Sequence, residues 1–230
     1  QPHGVSIVAV VSPDRTATAA RFSGQLILKL SGHTGGVNSV AFSPDGRNLA
    51  TSGDDNTIML WDIANPDTAP IILEGHTNSV FSVDFSADVQ HLISGSLDNS
   101  DGIWNLADPV SEPALLQDHT GAILSTNAAP DAVSNAKASA DNTVRLWDLY
   151  DCATEPDIPC AARQVLKGHK DAVLSVSFCP DGDCVISTSS DQTARLWDID
   201  IDTLLAQTEA LIQRRPIEFT AAEKSTYGIE

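Results

Sequence analysis

Apolar and polar positions along the chain fall into short blocks separated by turn-forming residues. Residues 37–42 (VNSVAF) are short and largely apolar, and SPDG at 43–46 follows as a tight-turn sequence. Proline there fixes φ, and glycine permits φ > 0. NLATS (48–52) reads as a second strand, GDDN (53–56) as a turn, TIMLWD (57–62) as a third strand and IIL (71–73) as a fourth. Four short strands with turns between them predict an all-β repeat architecture. The third strand is apolar on both faces, so its sheet is expected to be covered on both sides. Sheets stacked face to face around an axis meet that requirement.

The block pattern recurs. Histidines stand at 33, 76, 119 and 169, and tryptophans at 61, 104, 147 and 197, each 28 residues after its histidine. Asp55, Asp98, Asp141 and Asp191 each lie six residues before their tryptophan. The unit spacing is 43, 43 and then 50, with the extra seven residues between Tyr150 and Ala161. Only an internal repeat gives such agreement.

GHTGGVNSVAFSPDGRNLATSGDDNTIMLWD (32–62) and GHKDAVLSVSFCPDGDCVISTSSDQTARLWD (168–198) resemble WD repeats of a WD40 β-propeller. The resemblance implies an all-β propeller segment over residues 1–200. It has four full four-stranded units at about 31–73, 74–116, 117–166 and 167–200, after a degenerate partial unit at 1–30. WD propellers usually close with about seven units, so an incomplete arc with sticky edges is expected. Its completion would come from upstream sequence or from a second chain. The last unit stops after its third strand. The partial unit is read as SPDRTATAA followed by a surviving fourth strand at 25–30, with its third strand and Trp-Asp missing. The chain begins at Gln1, which reads as a processed protein or a fragment, and the unit count favours a fragment.

A recurring His, Asp and Ser set mimics a hydrolase triad. A catalytic site needs its nucleophile at one place, and this set occurs in every unit. The resemblance implies instead a buried structural tetrad: His33, Thr51, Asp55 and Trp61; His76, Ser94, Asp98 and Trp104; His169, Ser187, Asp191 and Trp197. The remaining unit offers His119, Asp141 and Trp147, but Lys137 stands where the hydroxyl belongs. Asp118 replaces the glycine before His119, and Thr126 and Ala128 replace Val and Phe. In the preceding unit Asp101 takes the position of Ile58 and Val144, and Asn105 replaces the Asp after Trp. A carboxylate at a buried strand position is costly unless paired. These two units are therefore expected to be the least stable.

After Ile201 the β pattern ends. LLAQTEALIQRR (204–215) reads as a helix with Leu204, Leu205, Leu211 and Ile212 in a stripe. Thr220 and Glu223 read as a capping box for a second short helix. The expected organisation is thus a helical C-terminal tail at 201–230. FTAAE (219–223) resembles the ends of bacterial WD-repeat proteins that carry upstream NTPase or protein kinase modules.

Charge narrows the partners. Thirteen basic against 31 acidic residues give a formal charge of −18. Duplex phosphates and anionic lipid surfaces repel such a chain, so neither nucleic acid nor membrane is expected. The apolar stretch at 7–11 is too short to span a bilayer. The four cysteines read as reduced thiols in a cytoplasmic protein, although Cys179 and Cys184 could face across a hairpin. Cys152 and Cys160 bracket an acidic loop. No CxxC or CxxH set completes a zinc site, and no metal, cofactor or small-molecule substrate is expected. No GxSxG, HExxH or Walker loop is present.

The function these features imply is a noncatalytic scaffold that binds other proteins, or the rest of its own propeller. Candidate contact residues lie in the turns after each His and before each Asp: Thr34, Asp54, Thr77, Leu97, Thr120, Ala140, Lys170 and Ser190. Alternatives are a sensor module of a bacterial signalling NTPase or kinase and, more remotely, a hydrolase with its site on a propeller face.

Overall fold

Turn chemistry sets where each strand starts and stops. In the second of the five sheets among the described residues, β4 (Val37–Phe42), β5 (Asn48–Gly53), β6 (Ile58–Asp62) and β7 (Ile71–Leu73) pair antiparallel in chain order. At one end Ser43 Oγ accepts the Asn48 N–H and donates to Asp45, while Gly46 takes φ +70°. At the other end Asp55 accepts both the N–H and the hydroxyl of Thr57, and Asn56 takes φ +68°. Short carboxylate-capped turns of this kind let strands of five or six residues reverse without losing register.

The computed structural model describes residues 7–21, 26–109, 111–149 and 162–199. Contacts divide the chain into residues 1–197 and 198–230, and the sheets lie essentially in the first unit. The predicted tail helices and the Cys152–Cys160 loop fall outside the described residues.

The third sheet holds β8 (Val80–Phe85), β9 (His91–Ser96), β10 (Asp101–Asn105) and β11 (Ala114–Leu116). The fourth holds β12 (Ile123–Ala128), β13 (Ser134–Ser139), β14 (Thr143–Asp148) and β15 (Gln164–Lys167). The fifth has three strands, β16 (Val173–Phe178), β17 (Cys184–Ser189) and β18 (Ala194–Asp198). Among the described residues these three sheets and the second follow one repeat, three of them with four strands and the last with three.

Each inner strand packs on the next: β4 on β8, β8 on β12, β12 on β16. One hydroxyl stitches each seam. Ser39 Oγ accepts the Val83 N–H at 3.4 Å, Ser82 Oγ the Thr126 N–H at 3.0 Å, and Ser125 Oγ the Val176 N–H at 3.3 Å. The register of every inner strand slips just before this serine, between Val37 and Ser39 and at the three equivalent places. The bulge aims the hydroxyl at the neighbouring sheet.

The core sits in these seams. Ala50, Ile58, Leu60 and Leu73 of the second sheet meet Val80, Val83, Phe85, Leu92 and Trp104 of the third. Ile93, Ile103 and Leu116 of the third meet Trp147 and Leu149 of the fourth. Each fully buried side chain of this size contributes about 1.5–3 kcal/mol, so stability comes chiefly from blade-on-blade contact.

The first sheet corrects the sequence reading. It contains β1 (Ile7–Ser12), β2 (Thr16–Arg21) and β3 (Leu26–Ser31). The sequence reading leaves this unit without a third strand, which places SPDRT, like SPDG, at the turn between first and second strands. The structure makes it the turn between second and third strands. Asp14 accepts the Thr16 N–H and hydroxyl as Asp55 does for Thr57, and Arg15 takes φ +73° as Asn56 does +68°. Ala17 pairs with Leu30 as Ile58 pairs with Leu73. β1 packs on β4 just as β5 packs on β8. The third strand is present without its tryptophan, and the strand absent among the described residues is the innermost one.

Cys179 and Cys184 form a disulfide, in place of the reduced thiols expected there. They occupy the positions of Ser43 and Asn48, and Cys179 N–H still donates to Cys184 O. The covalent bond replaces the serine clamp that Ser43 and Ser86 form in the second and third sheets.

Candidate functional site

Three of the four histidine sets close into complete networks. Trp61 Nε1 donates to Thr51 Oγ1 at 2.9 Å, Thr51 Oγ1 meets His33 Nε2 at 2.8 Å, and His33 Nδ1 meets Asp55 at 3.0 Å. The third sheet repeats this through Trp104, Ser94, His76 and Asp98 at 2.9, 2.7 and 3.1 Å. The fifth does so through Trp197, Ser187, His169 and Asp191 at 2.8, 2.8 and 2.9 Å. Indole N–H only donates and a carboxylate only accepts, so the proton order is fixed. The hydroxyl donates to Nε2, and Nδ1–H donates to Asp.

Each aspartate also locks the turn above it. Asp55 accepts the Thr34 N–H, Asp98 that of Thr77, Asp141 that of Thr120 and Asp191 that of Lys170. Burial raises the Asp55 carboxyl, but hydrogen bonds from His33, Thr34 and Thr57 outweigh it and lower the pKa to about 2. Asp98 and Asp141 are lowered further by the same kind of contacts against the same opposition. For Asp191 the Thr193 hydroxyl is the largest cause of the lowering. The hydroxyls of Thr51, Ser94 and Ser187 are fully buried, each between its tryptophan and its histidine.

The fourth sheet breaks the network. His119 Nδ1 meets Asp141 at 2.8 Å, but His119 Nε2 and Trp147 Nε1 have no hydrogen-bond partner. Lys137, in the hydroxyl position, carries only donors, so the Trp147 N–H has nothing to donate to. Lys137 Nζ instead lies 3.1 Å from Asp101 Oδ1 of the third sheet, with both side chains fully buried. The contact is an ion pair by distance and lacks hydrogen-bond alignment. Lys137 Nζ also stands 5.6 Å from the Trp147 ring centre. Burial pushes the Asp101 carboxyl up and the Lys137 ammonium down, each opposed by the other's charge. The two departures that sequence reading treated as separate costs therefore meet each other. Their signal was available: opposite charges at buried strand positions of adjacent units.

Of the candidate contact residues, Thr34, Asp54, Thr77, Thr120, Ala140, Lys170 and Ser190 are exposed and Leu97 is half-buried. They lie at one end of the sheets, where the loop before each inner strand meets the turn between second and third strands. Asp54 also accepts a hydrogen bond from Asn38 Nδ2 at 2.8 Å. Among the described residues, Cys179, Asp181 and Cys184 bring three potential metal ligands together. The two sulfurs are bonded to each other, so they offer no thiolate. No helix among the described residues is long and apolar enough to cross a membrane.

Comparison with known proteins agrees with this geometry. The family model "WD domain, G-beta repeat" matches residues 24–62, 69–105 and 161–198. The matched spans skip β12, β13 and β14 of the fourth sheet, where Lys137, Thr126 and Ala128 depart from the pattern. The nuclear distribution protein PAC1 of Arthroderma benhamiae is 50% identical over 48 residues, 20% of this chain and 10% of its own length. The small ribosomal subunit protein RACK1 of Medicago sativa is 57% identical over 35 residues, 15% of this chain and 11% of its own. RACK1y of Oryza sativa subsp. japonica is 54% identical over 39 residues, 17% of this chain and 12% of its own. The matched stretches thus span about a tenth of each relative. With three model matches and four stacked units of the same build, the chain belongs to the WD40-repeat proteins.

Proposed function

We propose that this chain is a noncatalytic scaffold that holds other proteins on the end of the sheets bearing Thr34, Asp54, Thr77, Leu97, Thr120, Ala140, Lys170 and Ser190. One observation carries the reading. The turns at that end are exposed, yet each is pinned from below by a backbone N–H to a buried network aspartate. A surface held rigid before binding loses little entropy on contact. The formal charge of −18 favours a basic partner that is steered electrostatically, and disfavours nucleic acid and membrane. Replacing Asp54, Leu97 and Lys170 together tests the face. Affinity capture followed by identification of the bound proteins should show specific partners lost from the triple variant. Capture unchanged by the three replacements would dismiss this end.

A second reading has its own observation. The outward face of the fifth sheet has the chemistry of the covered seams but no cover. Ile186 is 45% exposed and Leu196 69%, where the equivalent Ile93 and Ile103 of the third sheet are 0% and 3%. Ser175, equivalent to the stitching Ser39, Ser82 and Ser125, is exposed as well. The face fits a further WD-type sheet, whose inner strand would give its N–H to Ser175. The rest of this protein's own propeller would supply such a sheet. WD units encoded next to residues 1–230, expressed separately, should bind the chain and should fail to bind it with Ile186→Asp and Leu196→Asp. Binding unaffected by those two replacements would exclude the face.

A further inference from the structure

Two exceptions to the repeat meet in a single seam. Asp101 stands in β10 where the second and fourth sheets carry Ile58 and Val144, and Lys137 stands in β13 where the other sheets carry Thr51, Ser94 and Ser187. Their charged ends are 3.1 Å apart and fully buried between the third and fourth sheets. At the equivalent places of the neighbouring seams, an aliphatic side chain is matched with a hydroxyl.

We propose that the Asp101–Lys137 pair is an address: it makes the outgoing face of the third sheet and the incoming face of the fourth fit each other and no other face of the chain. The seams are otherwise largely Val, Ile, Leu and one serine; the further polar contact of this seam, Asp84 accepting from Asn127 Nδ2 and the Ala128 N–H, joins the inner strands and is only part-buried. Chains of similar repeats misassemble by docking the wrong unit or by swapping units between molecules. On the face of Ile58 or Val144, Lys137 would bury an ammonium in hydrocarbon. Against Thr51, Ser94 or Ser187, Asp101 would find a hydroxyl already committed to His and Trp. Either mismatch leaves an unpaired buried charge, among the costliest defects in a fold.

Stability does not account for the pair. A buried ion pair is often no better than apolar residues of like volume. Here it also costs the fourth sheet its network, since His119 Nε2 and Trp147 Nε1 are left without partners. Stability surrendered for correct pairing is a known specificity device. In a scaffold, the order of the sheets is also the order in which the exposed turns are presented.

The test restores the repeat pattern. The double variant Asp101→Ile with Lys137→Thr reproduces the Ile58 and Thr51 chemistry, whereas each single replacement leaves one buried charge alone. The singles should melt about 10 °C below the parent or fail to fold. The double should melt at or above the parent. Tagged and untagged chains of each are then unfolded together, refolded and captured by the tag, against a control mixed only after folding. Capture in excess of the control reports units swapped between molecules. The double variant should show a severalfold larger excess than the parent. An excess equal to the parent's would overturn the address. A double variant melting well below the parent would overturn it too, by making the pair a stabilising contact.

Discussion

The third and fifth sheets are built from the same repeat and differ in what lies on them. Ile93 and Ile186 occupy one position and are 0% and 45% exposed, and Trp104 is fully buried where Trp197 is only half-buried. Both sheets close the same Trp–Ser–His–Asp network, with distances that agree within 0.2 Å. The network therefore belongs to a single sheet and forms with or without a neighbour on the outer face. Burial belongs to the seam. A WD-type sheet is internally complete in its polar bonds and incomplete in its hydrophobic ones, which is why such units need company.

The sharpest break of this comparison is a charge placed on each face. Ile93→Asp buries a carboxylate without a partner, and the chain should fail to fold, with loss of the β circular dichroism signal. Ile186→Asp reaches water and should stay within about 1 kcal/mol of the parent in denaturant unfolding. Equal damage at both places would mean that the fifth sheet is covered after all.

Truncation of the two tryptophans comes next. Trp104→Ala should cost about 3–5 kcal/mol by creating a cavity in the seam. Trp197→Ala should cost less than half of that, since Trp197 is only partly covered and has less contact to lose. Urea unfolding of the two variants measures the difference.

The hairpin clamp is worth less. Reducing Cys179–Cys184 should lower stability by at most about 2 kcal/mol, because the closed loop is short. The pair Cys179→Ser with Cys184→Asn copies Ser43 and Asn48 and should recover part of that loss without a covalent bond. Thermal melts with and without reductant would show it.

The smallest effect is in the acid limb. Asp55 has its pKa lowered from 3.8 to about 2 in the folded chain. Its contribution to stability is therefore complete above about pH 4 and is lost as pH falls from 3.8 towards 2. Asp98, Asp141 and Asp191 shift in the same direction and add to the slope. Asp55→Asn should make the fall of melting temperature below pH 4 shallower than in the parent. An unchanged slope would remove Asp55 from the linkage.

Most of the sheet order was legible because His, Asp and Trp recur at fixed distances, and those distances are set by strand and turn lengths. The first sheet differs from its sequence expectation because Ser-Pro-Asp occurs in two kinds of turn. SPDG closes the first hairpin of a unit, whereas SPDRT closes the second. The deciding signal was Thr16 two residues after Asp14, the spacing of Thr57 after Asp55, together with the 41 residues from Asp14 to Asp55. The three complete networks were legible residue by residue. The fate of Lys137 was not, because a one-dimensional period shows which residues are equivalent and not which equivalents face each other across a seam. The disulfide was visible only as a possibility, since CPDGDC places two cysteines at clamp positions without saying whether they are bonded.

The outer face of the fifth sheet carries the side chains of a covered seam and lies open. This is tested by single cysteines in place of Ile93 and Ile186, in a background without other thiols, and by their rates of reaction with a thiol reagent. The rates are measured in the 230-residue chain. They are measured again in a chain with a second copy of residues 63–105 inserted between Asp198 and Ile199, which supplies an outer strand and a further unit. The cysteine of Ile93→Cys should be protected in both chains. That of Ile186→Cys should react rapidly in the first and be protected in the second. A cysteine at 186 that is already protected in the first chain, or one that reacts equally fast in both, would contradict it.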